Sequence, residues 1–185
     1  GVGVNQTIVN PNGIGGNGGY YNLILSGSGT KTMQISVLEI AGDLTISGTA
    51  AATAAEAITV DGNTTIGVGS SFAAGSFNHA FAGNFENNGT FTDTLGGSIT
   101  FNGTIAQTIS GTSTTTFNNL TIENILNVTQ AANVNVDNEL VLNGGNLIVG
   151  NNTLGINGAI SNPGGAIEVS ESSNLNFGGT SALTI

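Results

Sequence analysis

The sequence predicts an all-β fold: a single parallel β-solenoid of about nine rungs with a period of about 19 residues. Three observations lead to this class. An Asn or Asp recurs at a nearly constant interval, the segments between these residues alternate apolar and polar side chains, and turns rich in Gly or Asn separate the segments. We expect residues 1–185 to form one such domain, as a segment of a longer array or a filament subunit.

The recurring residue is an Asn or Asp followed three positions later by a large apolar residue in eight of nine cases. Its spacing is close to one rung of a solenoid, with a mean interval of about 19 residues. We expect the series to form a ladder along one edge of the rod, with side-chain amides hydrogen-bonded from rung to rung. The predicted ladder consists of Asn22, Asp43, Asn63, Asn84, Asn102, Asn119, Asn138, Asn157 and Asn174.

Alternating runs such as "LTIS", "SITF" and "NVNV" predict short strands whose apolar residues line the interior. Several members of the series have an apolar residue three positions before them, namely Ile40, Val60, Phe81 and Ile99. The alanine-rich segment 48–57 has neither the caps nor the length of a stable helix, and we expect it to be a loop.

A β-sandwich or jelly roll is the alternative fold, because it also contains many short strands. Its strands would be antiparallel and joined by hairpins of irregular length. Such an arrangement gives no reason to keep one residue type at one phase over eight intervals. The regular Asn series therefore favours the solenoid.

The charge balance excludes several classes of partner. The formal net charge is −10, from 11 acidic residues and one cation, Lys31. Phosphate binding needs clustered Lys and Arg, so nucleic acids and anionic membrane surfaces are not expected partners. The chain has no Cys for disulfides or thiolate metal sites. The sequence contains no run of 18 apolar residues, the length that would predict a membrane-spanning segment.

The residues available for catalysis are few. His79 has no identifiable partner, and we expect it to be a surface or half-buried residue. Carboxylates at Asp43 and Asp61, or at Glu39 and Glu56, are spaced to lie on adjacent rungs, as a glycosidase would require. Trp is absent and Tyr occurs twice, so aromatic residues for sugar binding are scarce. We predict no enzymatic activity, no catalytic residue and no cofactor.

Two ligand classes remain as alternatives to a structural role. A carbohydrate-binding or carbohydrate-cleaving β-helix is the first, and an ice-binding solenoid is the second. Thr-x-Thr pairs such as Thr30/Thr32 and Thr90/Thr92 suit an ice-binding face, but they do not recur at the rung period. We predict no metal site, because Asp61-Gly62 suits a turn and the remaining ligands of a calcium loop are missing.

The segments "YYNLILSGSGTKT", "GDLTISG", "GNFENNGTF" and "NELVLNGGNLIVGNNTLGINGAIS" resemble the repeats of large bacterial surface proteins exported by the type IX system. The resemblance covers roughly residues 20–165. It implies a secreted adhesin-like solenoid on the surface of a Gram-negative bacterium. Asp93-Thr94-Leu95 resembles the O-glycosylation acceptor of this bacterial group, which makes Thr94 a candidate glycosylation site.

The expected function is therefore that of a non-catalytic extracellular structural or adhesive rod, such as a surface stalk or a fibre subunit. Both ends of the sequence are strand-like, "GVGVNQTIV" at the start and "SALTI" at the end. We expect the rod to continue through its ends, either by stacking of identical copies head to tail or through neighbouring segments of the same protein. Surface glycans are a further expected partner.

Overall fold

A computed structural model describes residues 3–9, 11, 19–33, 37–93 and 96–179. Within these ranges the chain forms 22 strands and no helix, so the all-β prediction is confirmed. The strands in chain order are β1 (Gln6–Ile8), β2 (Leu23–Leu25), β3 (Ser28–Met33), β4 (Leu38–Ile40), β5 (Leu44–Ile46), β6 (Thr49–Thr53), β7 (Ile58–Val60), β8 (Thr64–Ile66), β9 (Ser71–Gly75), β10 (Asn78–Phe81), β11 (Phe85–Asn87), β12 (Thr90–Asp93), β13 (Ser98–Phe101), β14 (Gln107–Ser110), β15 (Thr115–Ile122), β16 (Val128–Gln130), β17 (Val134–Leu142), β18 (Leu147–Val149), β19 (Thr153–Ile156), β20 (Ala159–Ser161), β21 (Ile167–Val169) and β22 (Asn174–Phe177).

These strands belong to three sheets, here named A, B and C. Sheet A contains β1, β3, β6, β9 and β12, in that order. Sheet B contains β4, β7, β10, β13, β15, β17, β19 and β22, with β20 also paired to β17. Sheet C contains β2, β5, β8, β11, β14, β16, β18 and β21. Each strand pairs in parallel with its equivalent in the next turn of the chain.

The arrangement is a parallel β-solenoid of about eight turns with a repeat of about 20 residues, which confirms the predicted class and excludes the sandwich. The repeat is not constant along the chain. Leu44 pairs with Leu23 and Thr64 at nearly equal separations in sequence, whereas the separation between the paired Phe85 and Ile109 is distinctly larger. The Asn series, with its shorter mean interval, therefore does not follow one structural position throughout.

Sheets A and B merge in the later turns. Sheet A ends at β12, and β15 and β17 then run for eight and nine residues. The register between β15 and β17 shifts at Phe117/Asn119, an irregularity of the kind that bends a strand. The backbone N–H of Asn118, at this shift, donates to Oδ2 of Asp93 at the end of β12 (2.8 Å). The bend therefore takes the place of a separate turn between the two faces.

The interior is apolar and rich in phenylalanine. Strand residues alternate between buried and outward positions, as a half-buried strand requires. Six Phe rings lie in one continuous cluster, with neighbouring ring centroids 5.3–6.2 Å apart. Each fully buried ring contributes about 1.5–3 kcal/mol to folding. The cluster consists of Phe72, Phe81, Phe85, Phe91, Phe101 and Phe117.

The alanine-rich segment is a strand, so the expectation of a loop is wrong for Thr49–Thr53. Ala50 and Ala52 are buried, and Ala52 lies in register between Lys31 and Phe72. Two large inward side chains leave room only for a small residue between them. Alanine, a poor strand former by propensity, is therefore selected here by packing.

Glycine is required at the corner between sheets C and A. Gly27, Gly48 and Gly69 occupy this corner in three successive turns, with φ of 82°, 70° and 80°. A Cβ added at Gly48 would lie 2.8 Å from the carbonyl oxygen of Gly27. The left-handed backbone and the close stacking of turns both exclude a side chain.

Candidate functional site

The first four members of the predicted series form a true ladder at the corner that leads into sheet C. The backbone N–H of Asp43 donates to Oδ1 of Asn22 (2.7 Å), that of Asn63 to Oδ1 of Asp43 (2.8 Å), and that of Asn84 to Oδ1 of Asn63 (3.0 Å). The bonds thus run mainly from backbone to side chain, whereas the sequence predicts contacts between amides. A short side-chain carbonyl reaches the next turn, which explains why both Asn and Asp fit.

The series leaves this corner after Asn84. In the next turn Oδ1 of Asn84 accepts from the backbone N–H of Thr108 (2.9 Å), and Asn102 lies at the end of β13 instead. Three residues connect β10 to β11, but five connect β13 to β14. The longer connection shifts Asn102 away from the ladder. The corner is resumed by Asn127, whose Oδ1 accepts from the N–H of Asn146 (3.2 Å).

The remaining members lie along sheet B, so the prediction of a single edge is wrong for Asn102, Asn119, Asn138, Asn157 and Asn174. Asn119 pairs with Glu139 within sheet B, and its Nδ2 donates to the carbonyl of Gly97 (2.6 Å). Nδ2 of Asn138 donates to Oδ1 of Asn119 (2.6 Å), and Nδ2 of Asn157 donates to Oδ1 of Asp137 (2.8 Å). Asn174 begins β22 and pairs with Thr153.

Equivalent bonds occur at residues outside the predicted series. The backbone N–H groups of Thr30, Thr112 and Thr153 donate to Oδ1 of Asn5, Asn88 and Asn133, at 2.9–3.0 Å. The sequence signal for these is an Asn about one turn before the residue whose N–H it accepts. Because turn lengths vary, this signal is visible only once the register is known.

The lengthened corner is stabilised by two buried amides, which the sequence did not single out. Nε2 of Gln107 donates to the carbonyls of Phe81 (2.8 Å) and Gly83 (2.6 Å), and its Oε1 accepts from the N–H of Gly103 (2.8 Å). Nδ2 of Asn124, in the next turn, donates to the same Oε1 (2.9 Å). These bonds pair backbone groups that the insertion takes out of the sheet.

His79 is fully buried, not at the surface or half-buried as expected from the sequence. Its Nδ1 accepts from the N–H of Ile58 (3.1 Å), and its Nε2 lies 2.9 Å from the carbonyl of Ala74. Both contacts are satisfied together only by the neutral imidazole with its proton on Nε2. Desolvation lowers the pKa of His79 below its ordinary 6.5, and the bond to Ala74 opposes this in part. The geometry makes His79 a structural residue.

Lys31, the one cationic side chain, is also buried. Its Nζ donates to the carbonyl oxygens of Ser28 (2.7 Å) and Val4 (3.3 Å). The surface of the described residues therefore carries carboxylates without a lysine or arginine to pair them.

Two outward columns of sheet A carry only uncharged side chains over four turns. Thr30/Thr32 and Thr90/Thr92 lie in the same two columns of this face, separated by two turns. The intervening positions are occupied by Ala51, Thr53, Ser71 and Ala73. The threonine pairs are thus aligned, but the array is interrupted.

One depression combines aromatic and acidic side chains, and we name it the Tyr21 depression. It has a volume of about 440 Å³ and lies where sheet B meets the corner toward sheet C in the first three turns. Glu39 and Asp61 line it together, whereas the sequence pairs Asp43 with Asp61 and Glu39 with Glu56. The lining residues are Gly19, Tyr20, Tyr21, Glu39, Ile40, Ala41, Thr59 and Asp61.

A second depression, the C-terminal groove, is apolar and lies over the last turn of the interior. Its volume is about 390 Å³. Phe177 and Leu175 in its wall are 45% and 39% exposed, although equivalent residues in earlier turns are buried. The lining residues are Leu142, Ile160, Asn162, Ala166, Ile167, Leu175 and Phe177.

The remaining observations add no further site. Thr94, the candidate glycosylation residue, lies outside the described residues. Among the described residues no three His, Cys, Asp or Glu side chains are grouped so that they could hold a metal ion. The same residues contain no helix long and apolar enough to cross a membrane.

No family model, curated protein or solved structure matches the chain.

Proposed function

We propose that the chain is a non-catalytic structural or adhesive rod that works outside the cell, as a surface stalk or a fibre subunit. The observation that carries this proposal is the equivalence of the two ends of sheet C. Its first strand, β2, and its last, β21, have the same length and direction, and each has one edge without a partner strand among the described residues. An eight-stranded sheet with matching ends favours extension of the rod.

The partner that best fits these ends is a second copy of the chain. Placed beyond β21, β2 of another copy continues sheet C in parallel and covers the C-terminal groove with Leu23 and Leu25. Each junction buries Leu175 and Phe177 and adds backbone hydrogen bonds. A contact between different ends of identical subunits does not close on itself, so it produces a filament.

The surface chemistry supports an extracellular location. The only lysine is buried and arginine is absent, so the folded rod offers no exposed site to trypsin-like proteases. Stability resides in backbone ladders and an apolar interior, without disulfides. The resemblance to type IX-exported repeats of Gram-negative bacteria points to the same location.

Association of the isolated chain tests the proposal. We expect sedimentation velocity to show concentration-dependent species, and electron microscopy to show rods whose length is a multiple of roughly 40 Å, eight turns at the spacing of parallel strands. Replacing Leu175 by Glu places a charge in the C-terminal groove and should abolish association, because the charge would be buried at the junction.

Asn176→Glu is the matched control, because Asn176 is the next residue of β22 and points to the opposite face. It adds the same charge outside the groove and should leave association intact. A native chain that stays monomeric at high concentration, or two variants that associate equally, would refute end-to-end assembly.

A further inference from the structure

We infer that the Tyr21 depression is a binding site for a neutral sugar. The inference goes beyond the structural rod and does not depend on self-association, because all the lining residues come from one copy of the chain.

The depression arises from two columns of outward residues. Glu39 pairs with Thr59, and Gly19 precedes Tyr20, which bridges to Ile40. These contacts place Gly19, Glu39 and Thr59 in one column. Tyr21, Ala41 and Asp61 follow this column at the corner, because the N–H groups of Ala41 and Asp61 bond to the carbonyls of Tyr20 and Ile40.

Small and large residues are mixed in the lining of the depression. Ala41 lies between Tyr21 and Asp61 in one column, and Gly19 precedes Glu39 in the other. A side chain at Gly19 would collide with the backbone of Glu39, since a Cβ there would lie 1.7 Å from its carbonyl oxygen. The position must therefore remain glycine, so this end of the column carries no side chain.

The lining side chains have the chemistry that sugars require. Tyr21 is 76% exposed, so its ring offers an apolar face to the C–H groups of a pyranose. Glu39 and Asp61 are exposed carboxylates one turn and two residues apart, a Cα separation on the order of 8 Å. Each accepts hydrogen bonds from sugar hydroxyl groups. The hydroxyl of Tyr20 donates to the carbonyl of Val9 (2.5 Å), which holds that ring in place.

The charges select against other ligands. The depression contains two carboxylates and no cationic side chain, and the chain has a net charge of −10. Phosphates, sulfated glycans and uronates are therefore repelled. Two carboxylates alone do not provide the six or more oxygen ligands of a calcium site. Neutral hexose units remain as the class that uses both the ring and the acceptors.

Titration of the folded chain with neutral hexasaccharides of glucose, mannose and galactose tests this inference, with saturation-transfer NMR and calorimetry as readouts. We expect at least one to bind with a Kd in the millimolar range or below. Tyr21→Ala should weaken it by about tenfold or more, because the stacking surface is removed. Val68→Ala is the matched control, since Val68 is 78% exposed and outside the depression. Circular dichroism would verify that both variants fold.

Three outcomes would overturn the inference. These are the absence of binding to all neutral hexasaccharides at millimolar concentration, equal binding by Tyr21→Ala and the native chain, and preferential binding of hexagalacturonate or of Ca²⁺ alone at the same carboxylates. Because all the lining residues belong to one copy of the chain, failure of end-to-end assembly would not affect the titration. If the rods do assemble, the site recurs once per subunit. A polysaccharide that contacts several subunits would then bind more tightly than it binds one site.

Discussion

At the scale of single residues, burial determines the role of His79. His79 occupies a position at which neighbouring turns have the aliphatic residues Ile58 and Ile99. Three phenylalanine rings lie within 6.4 Å of its imidazole, centroid to centroid. An imidazole at such a position is tolerated only in the neutral form, because both ring nitrogens are committed to backbone groups.

This burial predicts a stability that depends on pH. The folded chain holds the pKa of His79 below 6.5, so between the folded and unfolded pKa values the unfolded chain binds more protons. The contribution of His79 is therefore fully present above about pH 6.5 and decreases as the pH falls below it. Urea unfolding between about pH 8 and pH 5 should show a falling midpoint.

His79→Leu is the control for this prediction. The variant removes the titrating group and should flatten the pH dependence in this range. It should also lower the free energy of unfolding by about 1–3 kcal/mol at pH 8, because the N–H of Ile58 and the carbonyl of Ala74 lose their partner. A pH dependence equal in both proteins would show that His79 is not responsible.

At the scale of elements, the corners determine how well successive turns match. Short corners of equal length keep Asn22, Asp43, Asn63 and Asn84 in one column, where each side-chain oxygen pairs a backbone N–H that faces no strand. A longer corner breaks the column, and Gln107 and Asn124 then pair the displaced backbone groups from inside. The backbone polar groups at this corner are thus hydrogen-bonded by different residues in the two halves of the rod.

The ladder predicts a specific difference between two substitutions at Asp43. Asp43→Asn retains the acceptor Oδ1 for the N–H of Asn63 and should change the free energy of unfolding by less than about 0.5 kcal/mol. Asp43→Leu removes the acceptor and should cost about 1 kcal/mol, because the position is exposed and water replaces part of the lost bond. Chemical denaturation of both variants measures the difference, and equal stabilities would contradict a role for the ladder.

At the scale of the whole molecule, stability comes from a continuous interior and from parallel ladders that each turn extends. Every interior turn contacts the turns before and after it, so the molecule behaves as a nearly one-dimensional array. Local opening in the middle of such a rod breaks contacts with both neighbouring turns. The middle turns should therefore be the most protected part of the molecule.

Proteolysis tests this cooperativity. Trypsin has a single target, Lys31, which is 1% exposed. We expect the folded chain to resist trypsin and the unfolded chain to yield two fragments. A protease of broad specificity extends the test to every turn, and mass spectrometry should show cleavage confined to the ends. Rapid cleavage within the middle turns would contradict this cooperativity.

Local patterns were sufficient to predict the fold class of this chain. Alternation of apolar and polar residues, glycine-rich turns and a recurring Asn or Asp are all local, and each turn of a solenoid repeats the same local requirements. The parallel β-solenoid and the first four members of the ladder were therefore predictable. Burial of His79 was missed, although the alternation of β10 places His79 on the same face as the interior Phe81, two residues later.

The register between turns is visible only in the folded chain. Two extra residues in one corner leave the side-chain pattern of the strands unchanged, yet they move Asn102 out of the ladder and bring Thr108 into it. The Tyr21 depression depends on the same property, since Gly19, Ala41 and Asp61 become neighbours only through the stacking of three turns. Local patterns specify which residues form strands, whereas contacts between turns depend on the length of every corner that separates them.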